Sequence, residues 1–202
     1  MTAGDKNPSA APPASGHGGR AKLPAAGPRL RALLLAPFLV YASWLGMLAT
    51  HEFGHVLHAW LSGGQVERVL LPPLGFSQTI VWPNPHERFV AWGGPAWGAG
   101  LPLLAAAVVR LLLRRRRRDG GHVPDLLKFF AGFCLIANGG YIGTGWFARA
   151  GGAGDAGDLL RLGTPPWVMV AFGAACLVIG LALWHHVTWL TRAHRRTGCA
   201  RA

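Results

Sequence analysis

The sequence predicts an all-α polytopic membrane protein: about four transmembrane helices, with a short β-hairpin or re-entrant segment between the first and second. Three observations carry this. Hydrophobic residues make up 51% of the 202 and charged ones only 14%, less charge than a soluble domain normally holds. Apolar runs long enough to cross a hydrocarbon layer of about 30 Å recur along the chain. Lys and Arg collect in blocks between those runs, the pattern of juxtamembrane charge. That pattern also excludes a nucleic-acid partner, although the net charge is +12.

Residues 1–29 are mostly Pro, Ala, Gly and Ser with scattered basic residues, a composition that buries too little apolar surface to order itself. A disordered tail is expected there, and no cleavable signal peptide, because cleavage after the first apolar run would remove the motif within it. The transmembrane domain is expected over 30–191 and a basic tail over 192–202. The first span covers about 30–61; Ser62-Gly63-Gly64 stops it, since Gly favours the position just past a helix end. Between 65 and 85, two β-prone runs flank Pro72-Pro73-Leu74-Gly75, which reads as the hairpin. The second span covers about 89–113, the third 124–149, and the fourth 166–190. A Gly-rich loop over 150–158 separates the last two. Cys134, Cys176 and Cys199 show no paired spacing, so neither a disulfide framework nor a Cys metal site is expected.

The basic residues set the expected topology. Lys6, Arg20, Lys22, Arg29 and Arg31 lie ahead of the apolar stretch of the first span. Arg110, Arg114 to Arg118 and Lys128 surround the turn after the second, and Arg192, Arg195, Arg196 and Arg201 follow the fourth. The intervening loops hold only Arg68 and Arg88, then Arg149 and Arg161. This alternation places both termini in the cytoplasm and the hairpin and the Asp155 loop together on the opposite side. Arg114 to Arg118 anchor the topology and suit anionic lipid.

Residues 33–50 carry no charge and lead directly into His51-Glu52-Phe53-Gly54-His55. Two His four residues apart on a helix sit about 40° apart around its axis, so both imidazoles reach one ion. Glu52 stands where a carboxylate can take a proton from a metal-bound water. That is the physical content of H-E-x-x-H, the pattern of zinc hydrolases. Ionisable groups in so apolar a run are costly, and by default functional. A hydrolytic zinc takes three protein ligands and leaves one position open. His58 lies about 10.5 Å along the axis from His51, too far to join the same ion. Glu67 and Glu87 lack a helical setting, and Asp119 and Asp125 adjoin the cytoplasmic Arg cluster. Asp155 and Asp158 remain as candidates for the third ligand.

These motifs resemble the intramembrane zinc metalloproteases of the site-2 protease class. Gly94-Pro95-Ala96 looks like that family's Gly-Pro motif in a following span. Asp155-Ala156-Gly157-Asp158-Leu159-Leu160 is similar to its Asp-Gly segment. The resemblance covers roughly residues 40–162. It implies Zn2+ held by His51, His55 and Asp155, with Glu52 as catalytic base and membrane-spanning proteins or peptides as substrates. Two features depart from the pattern: Ala156 stands where the family has Gly, and no Asn-Pro pair precedes Asp155. The family's site also lies nearer the cytoplasm than the charge pattern places this one.

The expected function is intramembrane peptide hydrolysis. The alternatives are a non-catalytic metal-binding relative acting as a binding or regulatory module, and a transporter, which the absence of a second charge pair in later spans disfavours. His58 reads as a partner to the ligands or an interfacial residue. Asn138 reads as a hydrogen-bonding contact between helices. His185-His186 form an interfacial pair, since adjacent side chains diverge by about 100°.

Overall fold

A computed structural model describes residues 28–116, 122–148 and 154–187. The apolar run and the motif share one helix, α1 (Pro28–Leu61), whose 34 residues extend about 51 Å at 1.5 Å each. Gly63 (φ +79°) ends it, and the Gly64 amide returns to the Ala59 carbonyl at 2.8 Å. β1 (Val66–Leu70) and β2 (Gln78–Val81) then pair antiparallel as the expected hairpin, with Val69 opposite Thr79 and Leu70 opposite Gln78. The helices α2 (Glu87–Arg115) and α3 (Val123–Thr144) follow, and a 3-10 turn (Gly145–Ala148) extends α3. The short α4 (Asp155–Arg161) and α5 (Pro166–His185) complete the described residues.

Three of these helical stretches are long and apolar enough to cross a membrane: Glu87–Arg115, Val123–Phe147 and Pro166–His185. Their outer faces leave large apolar side chains uncovered, among them Leu104, Val178 and Leu181. α3 is the most enclosed, packing between α2 and α5 and touching α1. Helices in lipid gain little from apolar burial, so close backbone approach has to hold them together. Gly139 and Gly143 of α3 meet Gly173 of α5 in this way. Gly54 of α1 lies against Gly93 of α2 so closely that a Cβ on either would collide with the other's carbonyl.

Some expectations are corrected. Pro28 and Arg29 belong to α1 rather than to the tail. Residues 155–158, expected as loop, form the first turn of α4. Seven residues are too few to make a helix stable alone. Here Ala156 and Leu159 are buried against Ile142 and Met169, so tertiary packing supplies what length does not. Gly94 and Pro95 fall inside α2, about two turns from its start at Glu87. The expected tails over 1–27 and 192–202, Arg117 and Arg118, and residues 149–153 lie outside the described residues.

Candidate metal centre

His51 and His55 occupy one buried face of α1, and α4 brings Asp155 to them. The His51 Nε2 lies 2.7 Å from Asp155 Oδ2, the His55 Nε2 3.2 Å from Asp155 Oδ1, and the two Nε2 atoms 3.2 Å apart. These distances can be set against the geometry of zinc. A tetrahedral ion with bonds of about 2.0–2.1 Å has ligand–ligand edges of about 3.3 Å. The edge between the two imidazole nitrogens, 3.2 Å, is close to that value, and Asp155 meets the two rings through different oxygens, Oδ2 toward His51 and Oδ1 toward His55. His51, His55 and Asp155 form a group that could hold a metal ion.

The outer nitrogens fix which side of each ring faces the centre. His55 Nδ1 lies 2.8 Å from the Val90 carbonyl, which only accepts, so Nδ1 carries the proton. His51 Nδ1 lies 2.7 Å from Asn138 Oδ1. The Asn138 amide nitrogen donates to the Cys134 carbonyl at 2.9 Å, which turns Oδ1 toward the ring. Both Nε2 atoms are thereby left as ligands. Such outer partners fix tautomer and ring orientation at metal sites. Burial alone would raise the Asp155 carboxyl, but its contacts with His51 and His55 and their charge outweigh it and hold it well below the usual carboxylate range. Ring nitrogens and carboxylate oxygens this close turn lone pair toward lone pair unless a proton or a metal ion lies between them.

Gly94 makes the space. A Cβ there would fall 2.5 Å from His51 Nε2 and closer still to His55 Nε2. The Gly-Pro motif therefore has a steric role at the site itself. Gly98, one turn on, leaves room in the same way for Asn138.

Glu52 is 2% exposed, and its Oε2 accepts a hydrogen bond of 2.5 Å from the Thr79 hydroxyl of β2. His51, Glu52, His55 and Asp155 open into one cavity of about 830 Å³. Trp44, Met47 and Leu48 of α1 line it, with residues 76–79 and Val81 of the hairpin and Tyr141 of α3. Sites for small molecules run to about 300–1,000 Å³, so this one has room for a short stretch of extended peptide.

The remaining candidates fall elsewhere. Asp158 turns to the rim, half exposed, and pairs with Arg161 at 3.1 Å, while Arg161 also reaches Glu87 at 3.4 Å. Between the two acids that the sequence left open, only Asp155 meets the imidazoles. His58 bolts α1 to α2: its Nδ1 donates to the Phe89 carbonyl at 2.7 Å, Trp97 donates to its Nε2 at 3.1 Å, and its ring stacks on Phe89. His185 and His186 lie at the far end of α5, their rings edge to face. Thr79 and the Val90 carbonyl were not foreseen. A backbone acceptor leaves no trace in sequence, and Thr79 reads only as a β-former.

Comparison with protein-family models, with curated proteins and with solved structures found no match.

Proposed function

We propose that the chain is an intramembrane zinc metalloprotease that hydrolyses peptide bonds of membrane-spanning substrates. The observation that carries the reading is the convergence of His51 Nε2, His55 Nε2 and the Asp155 carboxylate beside a buried Glu52. α1 is then a fourth span, alongside the three apolar stretches, and the chain is a multi-pass protein of the cytoplasmic membrane with both termini cytoplasmic. Arg114 to Arg116 close α2 where anionic headgroups would lie. At the hairpin turn, Leu74 and Phe76 are more than four-fifths exposed, which suits contact with lipid.

His51, His55 and Asp155 would hold the ion, and zinc at such a site supplies a water of lowered pKa and polarises the scissile carbonyl. Glu52 would take a proton from the attacking water and return it to the leaving amine, which regenerates its carboxylate. Peptide bonds in a helix are shielded by their own hydrogen bonds, so the substrate has to enter extended. One edge of β2 is paired with β1, and residues 76–79 and Val81 line the cavity. An extended peptide lying along β2 would gain main-chain hydrogen bonds there. Asn138 orients His51.

The test is cleavage of a quenched single-span peptide by the chain reconstituted in lipid vesicles. Hydrolysis that a chelator stops and added zinc restores is the expected result. A chain that binds zinc and leaves the peptide intact would instead be the non-catalytic metal-binding module. Asn138→Leu is expected to weaken zinc binding by about 10- to 100-fold in competition with a chromophoric chelator. Asn138→Asp, which keeps an acceptor for His51 Nδ1, is expected to regain most of that loss. Unchanged affinity in Asn138→Leu would remove Asn138 from the site.

A further inference from the structure

We propose that Thr79 is a positioning residue, a latch through which the β-hairpin holds the Glu52 carboxylate and aims it. The Thr79 hydroxyl lies 2.5 Å from Glu52 Oε2, joining residues far apart in the chain. The hydroxyl donates and the carboxylate oxygen accepts. At this distance it is a short hydroxyl–carboxylate hydrogen bond. Among the described residues, it is the one hydrogen bond that this carboxylate receives. A buried acid depends heavily on such a donor, because little solvent reaches it.

The donor is itself held rigidly. Thr79 sits opposite Val69 in the β1–β2 ladder, so its side-chain direction is set by the strand register. As a β-branched residue it has restricted χ1 freedom, which narrows where the hydroxyl can point. With Oε2 engaged, Oε1 is the oxygen left to take a proton. The same strand lines the cavity with Gln78, Thr79 and Val81. A peptide that settles on β2 therefore presses on the element that aims Glu52, and binding is coupled to the geometry of the base. This consequence rests on the reading of Glu52 as proton acceptor, whereas the latch itself does not.

Two measurements on the purified full chain separate these claims. The first is amide hydrogen exchange of residues 66–70 and 78–81 in detergent micelles. Thr79→Val, which keeps shape and loses the hydroxyl, and Glu52→Leu are each expected to speed exchange by a similar factor. Their combination should speed it no further, and Thr79→Ser should match the original chain. Exchange unchanged in Thr79→Val, or effects that multiply in the double variant, would overturn the latch. The second is cleavage of the quenched single-span peptide. Thr79→Val is expected to lower kcat by roughly 10- to 100-fold, with KM within about twofold, zinc content unchanged, and Thr79→Ser active. A loss confined to KM, or equal damage in Thr79→Ser, would overturn the positioning role. If the original chain cleaves nothing, the protease reading fails, and the exchange result alone decides the latch.

Discussion

Replacing Glu52 by Gln is expected to lower cleavage of a membrane-spanning peptide by about 10²–10⁴-fold while leaving zinc content unchanged. The range corresponds to about 3–5 kcal/mol of transition-state stabilisation at 1.36 kcal/mol per decade. The substitution keeps the size of the side chain, and the amide oxygen can still accept from Thr79. What disappears is the ability to take and return a proton. The two ligands on either side stay in place, because their outer hydrogen bonds run to Val90 and Asn138 and not to Glu52. Turnover and zinc content measured on one preparation test this together. Turnover within a few-fold of the original chain would exclude Glu52 as the base. Loss of zinc along with activity would make it part of the ligand scaffold instead.

Gly94→Ala should abolish the metal centre without touching a ligand. The added methyl has nowhere to go: it would lie 2.5 Å from His51 Nε2 and nearer to His55 Nε2. Either the imidazoles turn away or α2 withdraws from α1, and both separate the donor atoms. Retreat of α2 is resisted by the contact of Gly54 with Gly93, where backbone already meets backbone. The expected loss in zinc affinity is about 100-fold or more, at or beyond the upper end of what outer-sphere changes cost. Gly100→Ala is the matched control. It lies in the same helix, with open space where its Cβ would be, and Ala is favoured over Gly in a helix by about 0.5–1 kcal/mol. Zinc titration of both variants decides the matter. Equal affinity in Gly94→Ala and the original chain would show that the space beside the imidazoles is unimportant.

Much of this arrangement was legible in the sequence because it is local. Four-residue spacing brings His51 and His55 together on any helix, and Pro72-Pro73-Leu74-Gly75 between β-prone runs makes a hairpin under ordinary turn chemistry. The choice between Asp155 and Asp158 was not local. The two lie three residues apart on one short helix, and only the burial of Ala156 and Leu159 decides which carboxylate faces α1. That helix was itself read as loop, since its Gly and Asp content argues against helix until packing overrides it. Gly94-Pro95 was visible as a motif, but its steric reason depends on how closely α2 meets α1. Thr79 and Asn138 reach the site through pairings across the fold that no periodicity announces.

The convergence of His51, His55 and Asp155 on one ion underlies the whole account, and X-ray absorption at the zinc edge tests it most directly. The purified chain should take up one zinc, with two imidazole nitrogens and a carboxylate oxygen at about 2.0–2.1 Å. The carboxylate contribution should vanish in Asp155→Ala and persist in Asp158→Ala. A chain that takes up no zinc, or a shell without paired imidazoles, would contradict the account.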